Sequence, residues 1–442
     1  MNKVPIQIMD LTTLKAVVFE LSKVIVPSRF EKAQQIDSST IQIGFRTLEK
    51  LIWIEISWLA ESPRIVQIES PKKFGDKSTL AKQLQHLLSN LALVEIEQTG
   101  FERIVKFKFA SRPGKNIDKE VIVELMGRYS NLLLLDSKNK VITLGKKIKE
   151  SQSRYRPIGT GDLYKSPPRL KGLAPDLKES FNSWKENICL VPETFKNSLK
   201  NTYQGISPSL TLQLASKDHI EAIKIVNKSV TSIDSELWRS IFSRWKDWLL
   251  DIKNNNFNMN LQCSTEFSVW GERKSEVSNN KISLFLGKYY SDRLLKRRIN
   301  NIEEKIKKDL KISKIEEIRK SRVQELLVES ISEYTNMQNN ANNLLSLENP
   351  SKKQIIEAQK LFQKAKKKKR SRESIQNRID FHKRRISEIE SSELFLDTLI
   401  NEKTEDSINK LDKIIELKEE IEEYICLAKN NSKLKSKKQN QA

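Results

Sequence analysis

The chain has 442 residues, 38% hydrophobic and 31% charged, which fits a soluble protein of roughly two to four folding units with buried cores. Its 79 lysines and arginines exceed its 57 aspartates and glutamates, and the net charge of +22 favours nucleic acid as a partner over an anionic membrane surface. No stretch approaches about eighteen apolar residues and the N-terminus lacks a signal-peptide layout, so we expect a cytoplasmic chain without a membrane partner.

Alternation of apolar residues with a period of two predicts a sheet in the first part of the chain. The predicted strands are 40–45, 53–56, 64–68, 94–96, 104–109 and 121–125. Apolar residues spaced by three and four predict helices at 12–21 and 78–91. We therefore expect an α+β N-terminal domain over 1–165, which ends in a stretch rich in proline and glycine.

A helical domain is predicted over 166–280. Trp238, Trp245 and Trp248 recur at helical spacing and fit an aromatic core better than a platform for stacked bases. Residues 205–209 predict a turn between two helices, with Ser207 or Ser209 as the N-cap of the second helix. The backbone N–H groups of such a turn would also suit a phosphate.

Residues 285–430 are predicted to form a coiled-coil hairpin arm, followed by a basic tail over 431–442. Its first helix, 293–337, contains no glycine or proline. The expected apolar seam is Ile299, Ile302, Ile306, Leu310, Val323, Leu327 and Tyr334. Five asparagines and a proline predict a break over 336–350, after which Ser351 would cap a returning helix. A second break, at 401–405, leaves a shorter helix over 406–428.

Charge is segregated along the returning helix. Eleven basic residues stand against two acidic ones over 364–385, whereas thirteen acidic residues stand against four lysines over 386–425. Because neighbouring like charges on a helix repel each other, a phosphate partner is favoured for the basic block over a merely solvated face, which stays open as the alternative. The centre of this block consists of Lys366, Lys367, Lys368, Lys369 and Arg370.

Motifs of catalysis are missing from the sequence. It contains no G-x-S-x-G, no G-x-x-x-x-G-K-[ST], no H-E-x-x-H and no G-x-G-x-x-G. The three cysteines and three histidines are scattered and include no C-x-x-C pair. We therefore expect a binding protein rather than an enzyme, with no metal and no cofactor.

Two polar clusters in the first domain carry candidate binding residues. Glu102 and Arg103 stand side by side at the entrance to a predicted strand, and residues 124–131 (ELMGRYSN) join two apolar strands through a polar turn. Gly127 supplies backbone freedom to that turn. Its possible donors to a phosphate or sugar are Arg128, Ser130 and Asn131. From spacing alone, an ordinary tight turn with an ion pair is an equal alternative.

At these residues the chain resembles the NFACT family. The resemblance rests on Met9-Asp10-Leu11, on 101–105 (FERIV) and above all on 124–136. It continues through 153–156, 203–208, the Tyr289-Tyr290 pair and 358–372, in the family's order and over nearly the whole chain.

The resemblance implies a ribosome-associated quality-control factor. Members of the family bind the large ribosomal subunit with an obstructed peptidyl-tRNA and recruit tRNA for template-free addition of a C-terminal tail, alanine in bacteria. The implied fold is an N-terminal domain like formamidopyrimidine-DNA glycosylase, helix-hairpin-helix elements, a coiled-coil arm and a C-terminal RNA-binding domain. Nothing similar to that last domain is seen in this sequence, so tailing by the chain alone stays an open expectation.

The resemblance also implies site residues. An acidic residue near the N-terminus and an Asp-Arg pair, which the family links to tRNA, fall on Asp10, Glu102 and Arg103, where Glu102 replaces the usual aspartate. With Arg128 and Asn131 these are the expected tRNA contacts. The basic residues from Lys366 to Arg370 would lie against ribosomal RNA. Many members have histidine in place of Tyr129, so proton chemistry is not expected there.

Three alternatives to this function are weaker. Glycosylases with this fold use an N-terminal proline amine, whereas Pro5 lies inside the chain as an amide, so base excision and a DNA partner are not expected. A fibronectin-binding adhesin is suggested by the old description of the family and would need secretion. An RNA-binding or structural coiled-coil scaffold without tailing would explain the arm but not the arginine-bearing turns.

Overall fold

The computed structural model describes residues 5–71, 78–153, 156–168, 171–263, 266–271, 281–330, 333–346, 350–401 and 409–423. Its contacts divide the chain into two compact units, Asn2–Arg293 and Leu294–Ala442. The predicted basic tail, 431–442, lies outside the described residues, and the predicted domain limits stay predictions.

A nine-stranded antiparallel sheet forms the frame of the N-terminal unit. Its strands are β1 Ser28–Asp37, β2 Thr40–Arg46, β3 Leu51–Ser57, β4 Arg64–Ile68, β5 Ala92–Gln98, β6 Ile104–Ala110, β7 Lys119–Glu124, β8 Asn131–Asp136 and β9 Val141–Leu144. They lie in the order β4-β3-β2-β1-β5-β6-β7-β8-β9. Two meanders therefore extend from the central pair of β1 and β5.

The sheet curls around its first helix. Helix α1, Leu11–Ile25, and helix α2, Thr79–Leu88, pack into one core with side chains from both meanders. Trp58, which follows β3, lies against Gly145, which follows β9, and a Cβ at Gly145 would be 2.7 Å from the indole ring. The two ends of the strand order thus approach each other.

Five helices form a second core in the same unit. They are α3 Phe181–Cys189, α4 Phe195–Thr202, α5 Pro208–Ala215, α6 His219–Val226 and α7 Ser235–Asn254. Trp184, Trp238, Trp245 and Trp248 are buried at its centre, which confirms the core interpretation of the tryptophans. The indole N–H of Trp248 donates to Thr12 Oγ1 at 3.1 Å, so this core is joined to α1.

The last elements of the N-terminal unit contact residues near the N-terminus of the chain. They are β10 Asn260–Cys263, β11 Glu266–Ser268 and the start of α8, Ile282–Ser330. Gln7 Nε2 donates to the carbonyl of Phe267 at 2.8 Å, and the Tyr290 hydroxyl donates to the carbonyl of Gln7 at 3.0 Å. The Glu20 carboxylate accepts the N–H of Ser283 at the first turn of α8, with both oxygens at 3.2 Å. Burial raises the pKa of Glu20 despite these bonds.

The C-terminal unit is helical. It contains the rest of α8, α9 Tyr334–Leu345, α10 Lys352–Asn401 and a helix over 409–423. Ile299, Ile306 and Leu310 of α8 are buried with Leu396 and Leu399 of α10 and with residues of the last helix. Lys314 is paired with Glu390 and Glu393 at 3.2 and 3.0 Å, and His382 Nδ1 lies 2.6 Å from Glu317 Oε2. These cross-helix pairs confirm an antiparallel helical hairpin.

Part of the predicted seam is wrong, and so is the start of the predicted break over 336–350, because α9 continues to Leu345. Val323 and Leu327 are exposed, so the buried seam of α8 ends before them. Residues 334–345 form α9 although five asparagines fall in the predicted break. Each asparagine costs a helix about a few tenths of a kcal/mol. The packing of α9 on α10, which buries Ala341 of α9 completely, outweighs that cost.

The predicted start of the returning helix is confirmed. Ser351 Oγ accepts the N–H of Gln354 at 3.3 Å, and Gln354 Oε1 accepts the N–H of Ser351 at 2.8 Å, which is a capping box. The α+β fold class, with an antiparallel N-terminal sheet and long C-terminal helices, is likewise confirmed. None of the described helices combines the length and the apolar character needed to cross a membrane.

Candidate nucleic-acid interface

Asp10 joins the N-termini of two helices. It is the N-cap of α1, where its Oδ1 accepts the N–H of Thr13 at 2.9 Å. Its Oδ2 accepts the hydroxyl of Ser207 at 2.6 Å. The same hydroxyl oxygen accepts the N–H of Leu210 at 3.0 Å, which confirms Ser207 as the N-cap of α5. One carboxylate therefore holds segments together that are 197 residues apart.

Gly205 allows the turn before α5 to reach this junction. Its φ of +76° lies in the left-handed region, and an added Cβ would stand 2.6 Å from Leu11 Cδ2 and 3.3 Å from Phe101 Cδ1. A side chain here would separate the turn from both contacts. The approach of residues 205–207 brings Phe101 and the two residues after it beside Asp10.

Arg103 lies against the residue before Asp10. Its Nη1 donates to the carbonyl of Met9 at 3.2 Å. Burial lowers the pKa of Arg103, and the negative charge of Asp10 acts against that fall. A guanidinium carries five N–H donors in a planar fork, and the described hydrogen bonds of Arg103 use one. The group is thus held in place with donors left for a phosphate or a ribose.

Glu102 is anchored through its main chain. Its carbonyl accepts Gln98 Nε2 at 2.6 Å, and Gln98 Oε1 in turn accepts Lys15 Nζ at 2.7 Å. Burial lowers the pKa of Lys15. The structure therefore brings the three family-linked residues, Asp10, Glu102 and Arg103, to one junction. Gln98 and Lys15 belong to its support, and no motif in the sequence marked them.

The polar turn over 124–131 lies next to this junction, because the N–H of Leu125 donates to the carbonyl of Arg103 at 2.9 Å. At its start, the buried Glu124 carboxylate accepts Arg156 Nη1 at 2.8 Å, Arg156 Nη2 at 2.5 Å and the hydroxyl of Tyr164 at 2.9 Å. Burial alone would lower the pKa of Arg156, but its bonds to Glu124 leave that pKa raised. Burial and the charge of Glu124 raise the pKa of Tyr164.

The end of the turn is equally fixed. Ser130 is buried, and its Oγ accepts the N–H of Met126 at 2.8 Å. Asn131 is buried too: its Nδ2 donates to the carbonyl of Lys146 at 2.8 Å, and its Oδ1 accepts the N–H groups of Lys146 and Leu132 at 2.9 and 3.0 Å. We assign Asn131 to the support of the turn, since contact of its amide with tRNA would require the turn to open.

Arg128 and Tyr129 are the two exposed residues of the turn. They follow Gly127, whose φ of +57° turns the chain outward, and form a short 3₁₀ helix with it. Arg128 Nη2 donates to the Tyr129 hydroxyl at 2.7 Å, and the guanidinium lies 4.8 Å from the centre of the ring. Arg128 is therefore exposed at the surface beside the junction, and its contact with tRNA stays a prediction.

The basic block of the C-terminal unit lies on α10. Lys366, Lys367, Lys369 and Arg370 are exposed, and Lys368 Nζ is 3.7 Å from Glu333 Oε2. Helix α9 packs beside this part of α10 and exposes asparagines rather than charges. The block can therefore meet phosphates without crossing an acidic surface on α9.

Replacing Asp10 by alanine is expected to destabilise the N-terminal unit by about 2–3 kcal/mol. The helix loses a cap worth about 1 kcal/mol and Ser207 loses a hydrogen bond to a charged group. Denaturant unfolding followed by tryptophan fluorescence measures this, because all seven tryptophans lie in that unit. Asp218→Ala, which removes an exposed N-cap from α6, is the control and should cost about 1 kcal/mol. Equal losses would show that the bond to Ser207 contributes nothing.

Comparison with known sequences gives one family and several relatives. The family model described as NFACT N-terminal and middle domains matches residues 10–349. The protein named Rqc2 homolog RqcH of Streptococcus suis is 29% identical over 150 residues, 33% of this chain and 27% of that protein. The protein of the same name from Bacillus subtilis is 30% identical over 137 residues, 30% and 23%. The matches thus span about a quarter of the relatives' length.

Solved structures align with about two thirds of the chain. The N-terminal part of the fibronectin/fibrinogen-binding protein from Streptococcus suis is 20% identical, with a TM-score of 0.48, over 64% of this chain and 99% of that one. The fibrinogen binding protein from Staphylococcus aureus is 18% identical, with the same TM-score of 0.48, over 64% and 98%.

Proposed function

The chain belongs to the NFACT family, and from this membership we propose that it is a ribosome-associated quality-control factor. In this proposal it binds the large ribosomal subunit carrying a stalled peptidyl-tRNA. It recruits tRNA, alanine tRNA in the bacterial case, for template-independent tailing of the nascent chain. It works in the cytoplasm and acts by binding, without a catalytic step of its own.

The observation that carries the proposal is the junction of Asp10, Glu102 and Arg103. These are the positions that the family links to tRNA, and they meet although they come from different parts of the chain. Arg103 would donate to a phosphate or to a ribose hydroxyl. Asp10 would hold both the Arg103 segment and the turn before α5 in place. Glu102 would add an acceptor for a ribose hydroxyl.

The basic block supports the second half of the proposal. Exposed lysines and arginines bind phosphates with release of counterions and without need for a base sequence. Such contacts suit the folded backbone of ribosomal RNA. We therefore propose separate surfaces, the junction for tRNA and the block for the large subunit.

The variant Arg103→Ala is expected to weaken tRNA binding about ten- to a hundredfold and to leave subunit binding unchanged. A hydrogen bond between a charged group and its partner contributes about 1.5–3 kcal/mol, and the planar fork cannot be replaced by alanine. Affinity for purified tRNA and sedimentation with large subunits give the two readouts. Arg46→Ala removes one exposed positive charge from the same unit and is the control. Normal tRNA occupancy in the Arg103 variant would refute this assignment.

Sequencing the RNA that copurifies with the tagged full chain tests the whole proposal. We expect transfer RNA and large-subunit ribosomal RNA to be enriched over RNA captured by an unrelated protein of similar net charge. Recovery of neither species would refute the proposed function. Enrichment of ribosomal RNA alone would leave a subunit-binding scaffold that does not recruit tRNA.

A further inference from the structure

We propose that Lys15 is a positioning residue of the junction, which acts through Gln98 on the loop over 99–103 that carries Glu102 and Arg103. This inference rests on the proposed function, and it assigns a role to two residues that no motif in the sequence marked. Lys15 lies in the second turn of α1, and Gln98 is the last residue of β5. Their hydrogen bond joins the helix to the sheet beside the loop.

The side-chain amide of Gln98 holds the loop from one side. Its Nε2 lies 3.3 Å from the carbonyl oxygen of Thr99, 3.2 Å from that of Gly100 and 2.6 Å from that of Glu102. Three main-chain carbonyls therefore converge on one nitrogen, and Gly100 reaches this arrangement with a φ of +63°. Without a donor between them the carbonyl dipoles would repel each other, so this loop conformation depends on the amide.

The ammonium group of Lys15 fixes the direction in which that amide faces. It donates to Gln98 Oε1 at 2.7 Å, so the oxygen of the amide is turned to α1 and the nitrogen to the loop. In the reversed orientation the amide nitrogen would face an ammonium group and the oxygen would face three carbonyls, and both contacts would be repulsive. The positive charge also attracts the carbonyl dipoles beyond the amide. One cation thereby selects one conformation of the loop.

The surroundings of Lys15 argue against a purely structural role. Its side chain is half-buried, and its described partner is a neutral amide rather than a carboxylate. Burial alone shifts the pKa of Lys15, downward, whereas the negative charge of Asp10 opposes the same shift at Arg103. A desolvated cation without a countercharge destabilises the folded chain, and an apolar side chain would pack at least as well. Charges held in this way are typical of functional sites.

The rest of the loop is held by ring and main-chain contacts. The ring centres of Phe101 and Trp248 are 6.4 Å apart, and the carbonyl of Arg103 accepts the N–H of Leu125 at 2.9 Å. These contacts fix the two ends of the segment, and the side-chain amide beneath it fixes its middle at Glu102. Loss of the amide contact should therefore leave both ends in place and release the direction of the two charged side chains.

Replacing Lys15 by methionine removes the charge and keeps the length of the side chain. In the full chain, Lys15→Met should weaken binding of a purified tRNA transcript about tenfold, because the Glu102 and Arg103 side chains must then be ordered on binding. The slope of log affinity against log salt should stay unchanged, since Lys15 contacts the loop and not the RNA. The unfolding midpoint in denaturant should stay equal or rise.

Lys23→Met is the matched control, because it removes an exposed charge from the last turn of the same helix. It should change the affinity for tRNA less than about twofold. A tenfold loss in this variant as well would mean that the net charge of α1 decides binding, and it would overturn the role of Lys15.

A double-mutant cycle tests whether Lys15 acts through Gln98. Gln98→Leu removes the amide and should weaken tRNA binding by a similar factor, and adding Lys15→Met to it should cause no further loss. Multiplied losses would show two independent contributions and would overturn the proposal. A salt slope reduced by about 0.7–0.9 in Lys15→Met would identify a direct phosphate contact and would also overturn it.

Two further outcomes separate this inference from the proposed function. If Lys15→Met and the unsubstituted chain bind tRNA equally well, the role of Lys15 is refuted and the proposed function stands. If the unsubstituted chain binds no tRNA, both fall. Weaker binding together with a lower unfolding midpoint would assign Lys15 to stability and would likewise refute its positioning role.

Discussion

Replacing Lys366, Lys367 and Arg370 by glutamine is expected to weaken binding to the large ribosomal subunit by roughly two orders of magnitude at 0.1 M salt. All three side chains are exposed on α10, where each can neutralise one phosphate. Each lost phosphate contact reduces the slope of log affinity against log salt by about 0.9, so the slope should become shallower by nearly three. Sedimentation with purified subunits between low and moderate salt measures both quantities.

The control for this variant removes three charges from the same unit. Lys305, Lys307 and Lys314 are already paired with carboxylates, at 2.7, 3.0 and 3.0 Å. Their replacement by glutamine should change subunit affinity little, because paired ammonium groups have fewer counterions to release. Equal loss in the two triple variants would mean that only net charge matters. An unchanged salt slope in the α10 variant would remove the block from the interface.

Glu124→Ala is expected to destabilise the N-terminal unit by about 3–5 kcal/mol. The Glu124 side chain is 1% exposed and binds both terminal nitrogens of Arg156. Alanine would leave a buried guanidinium without its countercharge, and the bond from Arg156 Nε to the carbonyl of Lys165 cannot replace it. The unfolding midpoint in denaturant, read from tryptophan fluorescence, should fall accordingly.

An exposed pair of the same kind provides a matched control. Glu31 binds Arg46 through two hydrogen bonds of 2.6 and 2.9 Å, but its side chain is 39% exposed. Water solvates both partners when this pair is broken, so Glu31→Ala should cost less than about 1 kcal/mol. If both alanine variants lost the same stability, burial would not explain the role of Glu124.

Much of the fold could be predicted from periodicity. The residues of β2 to β7 alternate regularly, and this alternation predicts each strand within a few residues of its observed bounds. The residues of β1 show no clear alternation of apolar and polar side chains, because register shifts at Phe30/Lys32 and Gln35/Asp37 interrupt it. Helix α9 could not be predicted from its asparagines, since its stability comes from packing on another helix and not from local preference.

The candidate site was predictable only in part. Family resemblance pointed to Asp10, Glu102 and Arg103, and turn chemistry pointed to Arg128. The bond between Asp10 and Ser207 had no sequence signal, because contacts between distant segments leave no period to detect. The amino-acid composition of the turn does not predict that the Asn131 side chain is buried while the Tyr129 side chain is exposed. That distinction depends on the φ of Gly127 and on the main chain of Lys146.

The contacts of Gln7 and Glu20 with residues 267–290 have a consequence for folding during translation. Among the described residues, the hydrogen-bond partners of Gln7 and Glu20 lie at positions 267, 283, 289 and 290. During translation, helix α1 stays incompletely buried until residues 267–290 have emerged from the exit tunnel of the ribosome. A nascent copy that stops before residue 290 therefore exposes an unfinished core, and shortened versions for laboratory work should end after that point.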